Sequence, residues 1–331
     1  MKVVILAGGY ATRLWPITKN RAKPLLPLGK KKIIDLVFEK VRDFGDVLVS
    51  TNKRFEDDFR RWAEGKKVEI VVEETRSEEE KLGAVKALAE IAKEINDDLF
   101  VIAGDNVFDF NLQPLLEVFK ETEDPVVALY DVGDLELAKR YGVAELSGDL
   151  VVDFEEKPLN PKSSLVGVAI YIFPEKVIPF LTKYSKERKD KADKLGEFLS
   201  YLCKIEKVRY VKFNGNWFDI GTPDSYIEAI KTFMENDVSR NVEVSRASKI
   251  IEPVVVEKNV RISGRSIIGP YTYIAEGCEI DSCDLSESVV FNGCILKKVT
   301  LWRSLIDSNC EIRNIELKSS IVGSNAKIQG G

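Results

Sequence analysis

The stretch KVVILAGGYATRL at residues 2–14, followed by KPLLPLG at residues 23–29, decides how the N-terminal part of this chain folds. Residues 2–6 predict a buried strand, and the glycines directly after it predict a tight turn. Glycine lets backbone N–H groups approach a phosphate closely, and nearby cations neutralise the phosphate charge. A strand, a glycine turn, Arg13 and Lys23 therefore predict a binding site for a nucleoside triphosphate.

Strands and helices alternate from residue 1 to about residue 235. This rhythm predicts an α/β fold with a Rossmann-like, mostly parallel sheet covered by helices on both faces. Ligands of such sheets bind at the carboxyl ends of strands, so Gly8 and Asp105, which each follow a strand, are expected at one rim. The predicted helices are 32–44, 54–65, 80–95, 113–121, 195–204 and 223–236. The predicted strands are 2–6, 46–50, 68–72, 99–103, 126–130, 142–146, 150–154, 166–173 and 208–213, and the charged run at 185–194 predicts a solvated loop.

From about residue 242 the chain repeats an aliphatic residue at every sixth position. This period predicts a left-handed parallel β-helix in which each of these aliphatic residues points into the coil. They are Val256, Ile262, Ile268, Ile274 and Ile280, then after a slip Val289, Ile295 and Leu301, and the pairs Ile306 and Ile312, and Val322 and Ile328. We therefore predict two domains, 1–236 and 242–331. We expect the second to be a scaffold or oligomerisation module, so that its removal alters assembly or stability more than chemistry.

Composition bounds the class of protein. The chain has 331 residues and a formal net charge of −5, so it has no basic character that would favour nucleic acid. No apolar run approaches the roughly 20 residues that span a bilayer, and a strand opens the chain with no signal peptide before it. We therefore expect a cytoplasmic protein without a membrane or nucleic-acid partner. Many Lys and Glu residues beside two glutamines favour a thermophilic source.

The chain contains no histidine, which excludes histidine bases and histidine metal ligands. It has five cysteines, none of them in a Cys-x-x-Cys pair. We expect neither a zinc site nor a disulfide framework from them, and interpret them as small buried apolar residues.

Residues 7–14 and 23–29 resemble the signature of the sugar-1-phosphate nucleotidylyltransferases, which reads Gly-Gly-x-Gly-Thr-Arg-Leu-x-Pro followed by Pro-Lys-Pro. Ala11 replaces the third glycine, and Ala22 precedes Lys23. The repeat resembles the left-handed helix of long-form members such as the long glucose-1-phosphate thymidylyltransferases. The resemblance implies a Mg²⁺-dependent attack of a sugar-1-phosphate, with glucose-1-phosphate favoured, on the α-phosphate of a nucleoside triphosphate, with dTTP or UTP favoured. An NDP-sugar and pyrophosphate result. The nucleophile is already an anion, so the absence of histidine is compatible with this reaction.

The resemblance also implies roles for individual residues. The catalytic residues are Arg13, Lys23, Asp105, Lys157 and Asp219. Of these, Asp105 and Asp219 would hold Mg²⁺ as the cofactor. The residues implied to bind the nucleotide are Leu6, Ala7, Gly8, Gly9, Arg13, Lys23, Glu74 and Gly83. The residues implied to bind the sugar-phosphate are Gly142, Glu156, Lys157 and Gly167, of which the two glycines would let the backbone approach the sugar.

The base and the activity leave alternatives open. Many members read the base with a glutamine that this chain lacks, and Glu74 is a candidate substitute. A carboxylate only accepts hydrogen bonds, which suits guanine and a GTP-using mannose-1-phosphate guanylyltransferase, whereas the long-form resemblance favours thymine or uracil. A non-catalytic regulatory subunit would have lost the charged residues, which are present here. An acyltransferase site in the repeat would generally use a histidine.

Overall fold

A computed structural model describes residues 1–187 and 194–331. The described chain separates into two compact units, each assembled from two segments. The first unit comprises Met1–Gly9 and Ile34–Asp219, and the second comprises Tyr10–Ile33 and Ile220–Gly331. The boundary predicted between residues 236 and 242 stays a prediction.

The first unit is built on a nine-stranded sheet. The strands up to residue 219 are β1 Lys2–Leu6, β2 Pro27–Leu28, β3 Lys31–Lys32, β4 Asp46–Asn52, β5 Val68–Glu73, β6 Leu99–Ala103, β7 Asn106–Phe108, β8 Val126–Asp131, β9 Gly142–Ser147, β10 Leu150–Glu156, β11 Leu165–Phe173, β12 Val208–Phe213 and β13 Trp217–Asp219. The order of strands in the nine-stranded sheet is β5-β4-β1-β6-β11-β8-β12-β10-β9. Strands β5, β4, β1 and β6 are parallel, whereas β11, β10 and β9 pair antiparallel with their neighbours. The predicted α/β class is confirmed, and the sheet is mixed.

The helices begin and end close to the predicted positions. They are α1 Ile33–Val41, α2 Glu56–Ala63, α3 Ala84–Ala92, α4 Gln113–Thr122, α5 Leu135–Ala138, α6 Ile178–Glu187, α7 Leu195–Leu202 and α8 Pro223–Phe233. Sequence periodicity missed α5 and α6, and the last turn of α6 takes up residues 185–187 of the predicted solvated loop. Residues 188–193 of that prediction lie outside the described residues. Among the described residues, no helix has both the length and the apolar character needed to cross a membrane.

The C-terminal segment is a parallel β-helix, as predicted. Its strands are β14 Asp237–Val238, β15 Glu243–Val244, β16 Lys249–Ile250, β17 Val254–Val256, β18 Arg261–Ser263, β19 Ile267–Ile268, β20 Thr272–Ile274, β21 Glu279–Asp281, β22 Asp284–Ser286, β23 Val289–Val290, β24 Ile295–Trp302, β25 Leu305–Ile306, β26 Glu311–Lys318, β27 Ile321–Val322 and β28 Lys327–Gln329. All of their pairings along the coil are parallel. Asn or Gly in the left-handed conformation turns one corner of successive coils, at Asn259, Gly277, Gly293, Asn309 and Asn325, because these residues reach positive φ at low cost.

The coil shortens along its length, and this explains the slip in the repeat. Arg261 pairs with Glu279, 18 positions later, whereas Glu279 pairs with Ile295, only 16 positions later. The inward residues therefore change phase. The prediction that Val289 and Ile295 point into the coil was wrong, because Val290 and Leu296, one position later, line its core. A shortened coil cannot keep a six-residue period through every corner.

Candidate functional site

Side chains from β4 and β5 hold the backbone turn that follows β1. Asn52 Nδ2 donates to the carbonyl oxygen of Gly8 at 2.9 Å, and Ser50 Oγ donates to Glu73 Oε1 at 2.9 Å. The Glu73 carboxylate reaches over the glycine turn, because a Cβ on Gly8 would lie only 2.6 Å from Glu73 Oε1. Glycine is therefore required here to leave room for the Glu73 carboxylate.

The other nucleotide-binding residues predicted in this part of the sheet lie at strand ends or at a helix start. Leu6 ends β1, and the amide of Ala7 donates to the carbonyl oxygen of Ser50 at 2.8 Å. Gly9 is exposed. Gly83 stands at the start of α3 with a φ of 82°, a backbone conformation that favours glycine.

Glu73, rather than Glu74, is the carboxylate beside this turn. Burial raises the pKa of Glu73, and its hydrogen bond with Ser50 opposes that rise. The side chain of Glu74 is 76% exposed, and its Oε1 lies 3.6 Å from Lys53 Nζ. The sequence did contain a signal for Glu73, since strand alternation extended one residue past Val72 would have placed it on the face of Val71.

The strands that carry the two predicted metal ligands pair with each other. Asp105 directly precedes β7, and Asp219 ends β13. These strands are antiparallel, with Asp219 opposite Asn106. Asn106 Nδ2 donates to Asp105 Oδ1 at 3.0 Å, and Trp217 Nε1 donates to Asn106 Oδ1 at 2.8 Å. Asn106, which is buried, therefore orients Asp105, and sequence reasoning missed this role.

Hard oxygen ligands suit Mg²⁺, which usually takes one or two carboxylates and completes its shell with water and phosphate oxygens. Asp105 and Asp219 fit that requirement by number and by type. In the part of the chain that the structure describes, no group of three or more His, Cys, Asp or Glu side chains could hold a metal by itself. A metal at these aspartates would thus depend on substrate phosphate for further ligands.

The two glycines predicted for the sugar-phosphate, Gly142 and Gly167, lie against the Phe154 ring. Glu156 ends β10 opposite Gly142 at the start of β9. A Cβ on Gly142 would lie 2.2 Å from Phe154 Cε1, and a Cβ on Gly167 would lie 2.8 Å from Phe154 Cζ. These glycines make room for a buried aromatic ring, an explanation that the sequence did not suggest.

Glu156 has neighbours that sequence reasoning did not name. Lys194 Nζ lies 3.8 Å from Glu156 Oε1, and Gly196 at the start of α7 leaves space for the other carboxylate oxygen. The adjacent Lys157 is exposed and has a φ of 51°, a left-handed conformation that costs a non-glycine residue about 1–2 kcal/mol. Such strain is concentrated at functional positions.

Arg13 and Lys23 lie on short 3₁₀ turns within the segment Tyr10–Ile33, which belongs to the second unit. The Arg13 guanidinium packs against Gly221, where a Cβ would lie 3.0 Å from Nη2. Lys23 is only 9% exposed. Ala11 has a φ of 52°, so the alanine that replaces the third glycine of the signature keeps a glycine-like conformation.

Comparisons with known proteins identify the family of this chain. A family model described as nucleotidyl transferase matches residues 2–236. The bifunctional protein GlmU of Methanocaldococcus jannaschii is 28% identical over 277 residues, which is 81% of this chain and 61% of that protein. A glucose-1-phosphate adenylyltransferase of Thermomicrobium roseum is 28% identical over 312 residues, covering 87% of this chain and 69% of its own length. The chain thus spans about three fifths of the GlmU relative.

A solved structure also resembles this chain. It is a protein of Bacillus anthracis assigned provisionally as a glucose-1-phosphate thymidylyltransferase and crystallised with sucrose. The TM-score is 0.63 at 30% identity, and the match covers 72% of this chain and 98% of the other.

Proposed function

This chain belongs to the nucleotidyl transferase family, and from that premise we propose that it joins a sugar-1-phosphate to a nucleoside triphosphate. A phosphate oxygen of the sugar-1-phosphate attacks the α-phosphorus and forms a new P–O bond. The bond from the α-phosphorus to the oxygen that bridges it to the β-phosphorus breaks, and pyrophosphate leaves with the electron pair. No proton has to move at neutral pH, so a chain without histidine can catalyse this step.

The observation that carries the proposal is the pairing of β7, which Asp105 directly precedes, with β13, which ends at Asp219. Their register sets Asp219 opposite Asn106, and Asn106 in turn donates to Asp105. Two carboxylates fixed by one strand pair are the ligand number and type that Mg²⁺ takes alongside phosphate oxygens. When bound, Mg²⁺ supplies positive charge that offsets the charge of the triphosphate.

The remaining charged residues have roles that follow from phosphate chemistry. Arg13 is proposed to contact the α-phosphate, because a planar guanidinium donates two parallel hydrogen bonds to phosphate oxygens. Lys23 is proposed as a second cation on the triphosphate. Lys157 is proposed to bind the phosphate of the sugar-1-phosphate, and Glu156 to accept hydrogen bonds from sugar hydroxyls.

We propose glucose-1-phosphate with dTTP or UTP as the substrates. Support comes from the long-form resemblance and from the B. anthracis structure. The carboxylate of Glu73 beside Gly8 favours a second candidate, GTP with mannose-1-phosphate, because an ionised carboxylate can accept from both donors on the Watson–Crick edge of guanine. The name of one relative, from Sulfurisphaera tokodaii, includes an acetyltransferase activity. We do not propose that activity for a chain without histidine.

A grid of Mg²⁺ reactions tests the proposal. Five nucleoside triphosphates are each incubated with glucose-1-phosphate, mannose-1-phosphate and N-acetylglucosamine-1-phosphate, and pyrophosphate release is measured. One strong combination is expected, and it would identify both substrates. Folded protein that binds nucleotide without turnover would instead indicate a regulatory subunit of the same fold. A homo-oligomer in the cytoplasm stays our prediction for its assembly and location.

A further inference from the structure

The segment Tyr10–Ile33, which we call the phosphate loop, carries Arg13 and Lys23 and lies in the same compact unit as the β-helix. Arg21, which lies between those two cations in the sequence, connects the phosphate loop to the β-helix. Its Nη2 lies 2.8 Å from Asp307 Oδ1 and 3.0 Å from Ser308 Oγ in the β-helix. The Cζ atom of the same guanidinium lies 3.8 Å from the centre of the Phe291 ring, over its face.

This contact is partly buried, and its acceptor side is fully so. The side chain of Asp307 is 3% exposed and that of Arg21 is 23% exposed. Ser308 is fixed in turn, since its amide donates to Asp307 Oδ1 at 2.8 Å and its hydroxyl donates to Asn292 Oδ1 at 2.9 Å. Asp307 and its neighbours therefore form a rigid acceptor built from two successive coils.

The ion pair is poorly suited to stabilise the fold. Arg21 Nη1 is buried and has no hydrogen-bond partner among the described residues, and an unsatisfied buried donor costs about 1–3 kcal/mol. Desolvation of a buried pair offsets most of the attraction between its charges. A contact with these costs gives specificity of position more readily than it gives stability.

Two further contacts hold the phosphate loop on either side of Arg21. Tyr226 on α8 donates its hydroxyl to the carbonyl oxygen of Pro27 at 2.5 Å. The Pro16 ring packs against Gly323 of the β-helix, where a Cβ would lie 3.2 Å from it. The loop is thus attached before Arg21, at Arg21 and after Lys23.

We propose that Arg21 and Asp307 are positioning residues through which the β-helix sets the geometry of the phosphate loop. The proposal rests on the proposed function, in which Arg13 and Lys23 bind the triphosphate. It revises our expectation that the β-helix is only a scaffold or oligomerisation module. Fixing each loop residue costs about 1–2 kcal/mol of backbone entropy, so an unattached loop would not hold two cations in place. A displacement of 1 Å at such groups can cost about a hundredfold in rate.

The test compares Arg21→Ala, Asp307→Ala and the double variant with Arg303→Ala. Arg303 is a matched control because it is a similarly buried arginine of the same β-helix, with Glu228, Glu287 and Asp224 as partners. Three quantities are measured on the full chain: KM for the nucleoside triphosphate, KM for the sugar-1-phosphate, and amide hydrogen exchange in residues 10–33.

Both single variants are expected to raise KM for the triphosphate at least tenfold and to leave KM for the sugar-1-phosphate within about twofold. They are also expected to speed amide hydrogen exchange in residues 10–33. The double variant should show no higher KM for the triphosphate and no faster exchange than either single variant. Arg303→Ala should lower the unfolding midpoint without either effect. Should Asp307→Ala fail to fold, Asp307→Asn and Phe291→Leu replace it.

Unchanged triphosphate KM and unchanged loop exchange in a folded Asp307 variant would overturn the proposal. Additive losses in the double variant would do so too, because the two residues would then act independently. The exchange measurement needs no turnover. If the parent protein proves inactive, exchange still decides whether Asp307 holds the loop, and the two failures remain distinguishable.

Discussion

Replacing Glu73 by glutamine tests whether the carboxylate beside the glycine turn reads the base. The substitution keeps the shape of the side chain, removes its charge and adds a donor. Ser50 Oγ donates a hydrogen bond to this carboxylate, and burial raises the pKa of Glu73 above the ordinary 4.5. The folded protein therefore holds the Glu73 proton more tightly than the unfolded chain does.

The stability effect has a defined sign. A carboxyl with a raised pKa gives its full stability below pH 4.5, and that stability is lost as the pH rises through the raised pKa. An under-satisfied buried group costs about 1–3 kcal/mol, so Glu73→Gln should raise the free energy of unfolding by about 1 kcal/mol at pH 8. The gain should disappear near pH 4, as measured by urea unfolding at both pH values.

The same variant should change the preference among triphosphates. Losing one hydrogen bond to a charged group costs about 1.5–3 kcal/mol, so kcat/KM for GTP relative to UTP should fall by at least tenfold. Glu74→Gln is the matched control, because Glu74 is exposed and its ion pair with Lys53 is worth at most about 1 kcal/mol. Equal effects of the two variants, or a Glu73 variant that is less stable at pH 8, would refute the reasoning.

Four other variants test local features of the site. Ala11→Gly should stabilise the protein by about 0.5–1 kcal/mol in urea unfolding, because Ala11 has a φ of 52°. Gly142→Ala should destabilise it by about 1–3 kcal/mol through overpacking against Phe154, and Phe154→Leu in the same chain should recover part of that loss. Asp105→Ala should lower Mg²⁺-dependent turnover by more than about a hundredfold while circular dichroism stays unchanged. Asn106→Ala should raise the Mg²⁺ concentration needed for half-maximal turnover severalfold, because it removes the hydrogen bond that Asn106 donates to Asp105.

Local patterns predicted most of the secondary structure and the family. The apolar run at residues 2–6 and the glycines after it were enough to predict β1 and its turn, and the matching family model confirms the resemblance. Helix α6 was missed because a charged run begins in its last turn. The phase of the β-helix was lost after Ile280, because each later coil is two residues shorter.

Long-range features left no local signal. Arg21 and Asp307 are 286 positions apart, and nothing near either residue indicates its partner. The role of Gly142 depends on the ring of Phe154, which the sequence alone does not place beside it. Glu73 was missed because the predicted strand ended at Val72. In the structure β5 extends one residue further and ends at the charged Glu73.

Labelled nucleotide tests the central claim most directly. The preferred triphosphate, carrying ³²P at the α-position or at the γ-position, is incubated with Mg²⁺ and the preferred sugar-1-phosphate, and the products are separated. Nucleotidyl transfer predicts that the α-label enters an NDP-sugar and that the γ-label appears in pyrophosphate. EDTA should abolish the formation of both labelled products, and excess Mg²⁺ added afterwards should restore it. A γ-label on the sugar, or an α-label released as free nucleoside monophosphate, would contradict it.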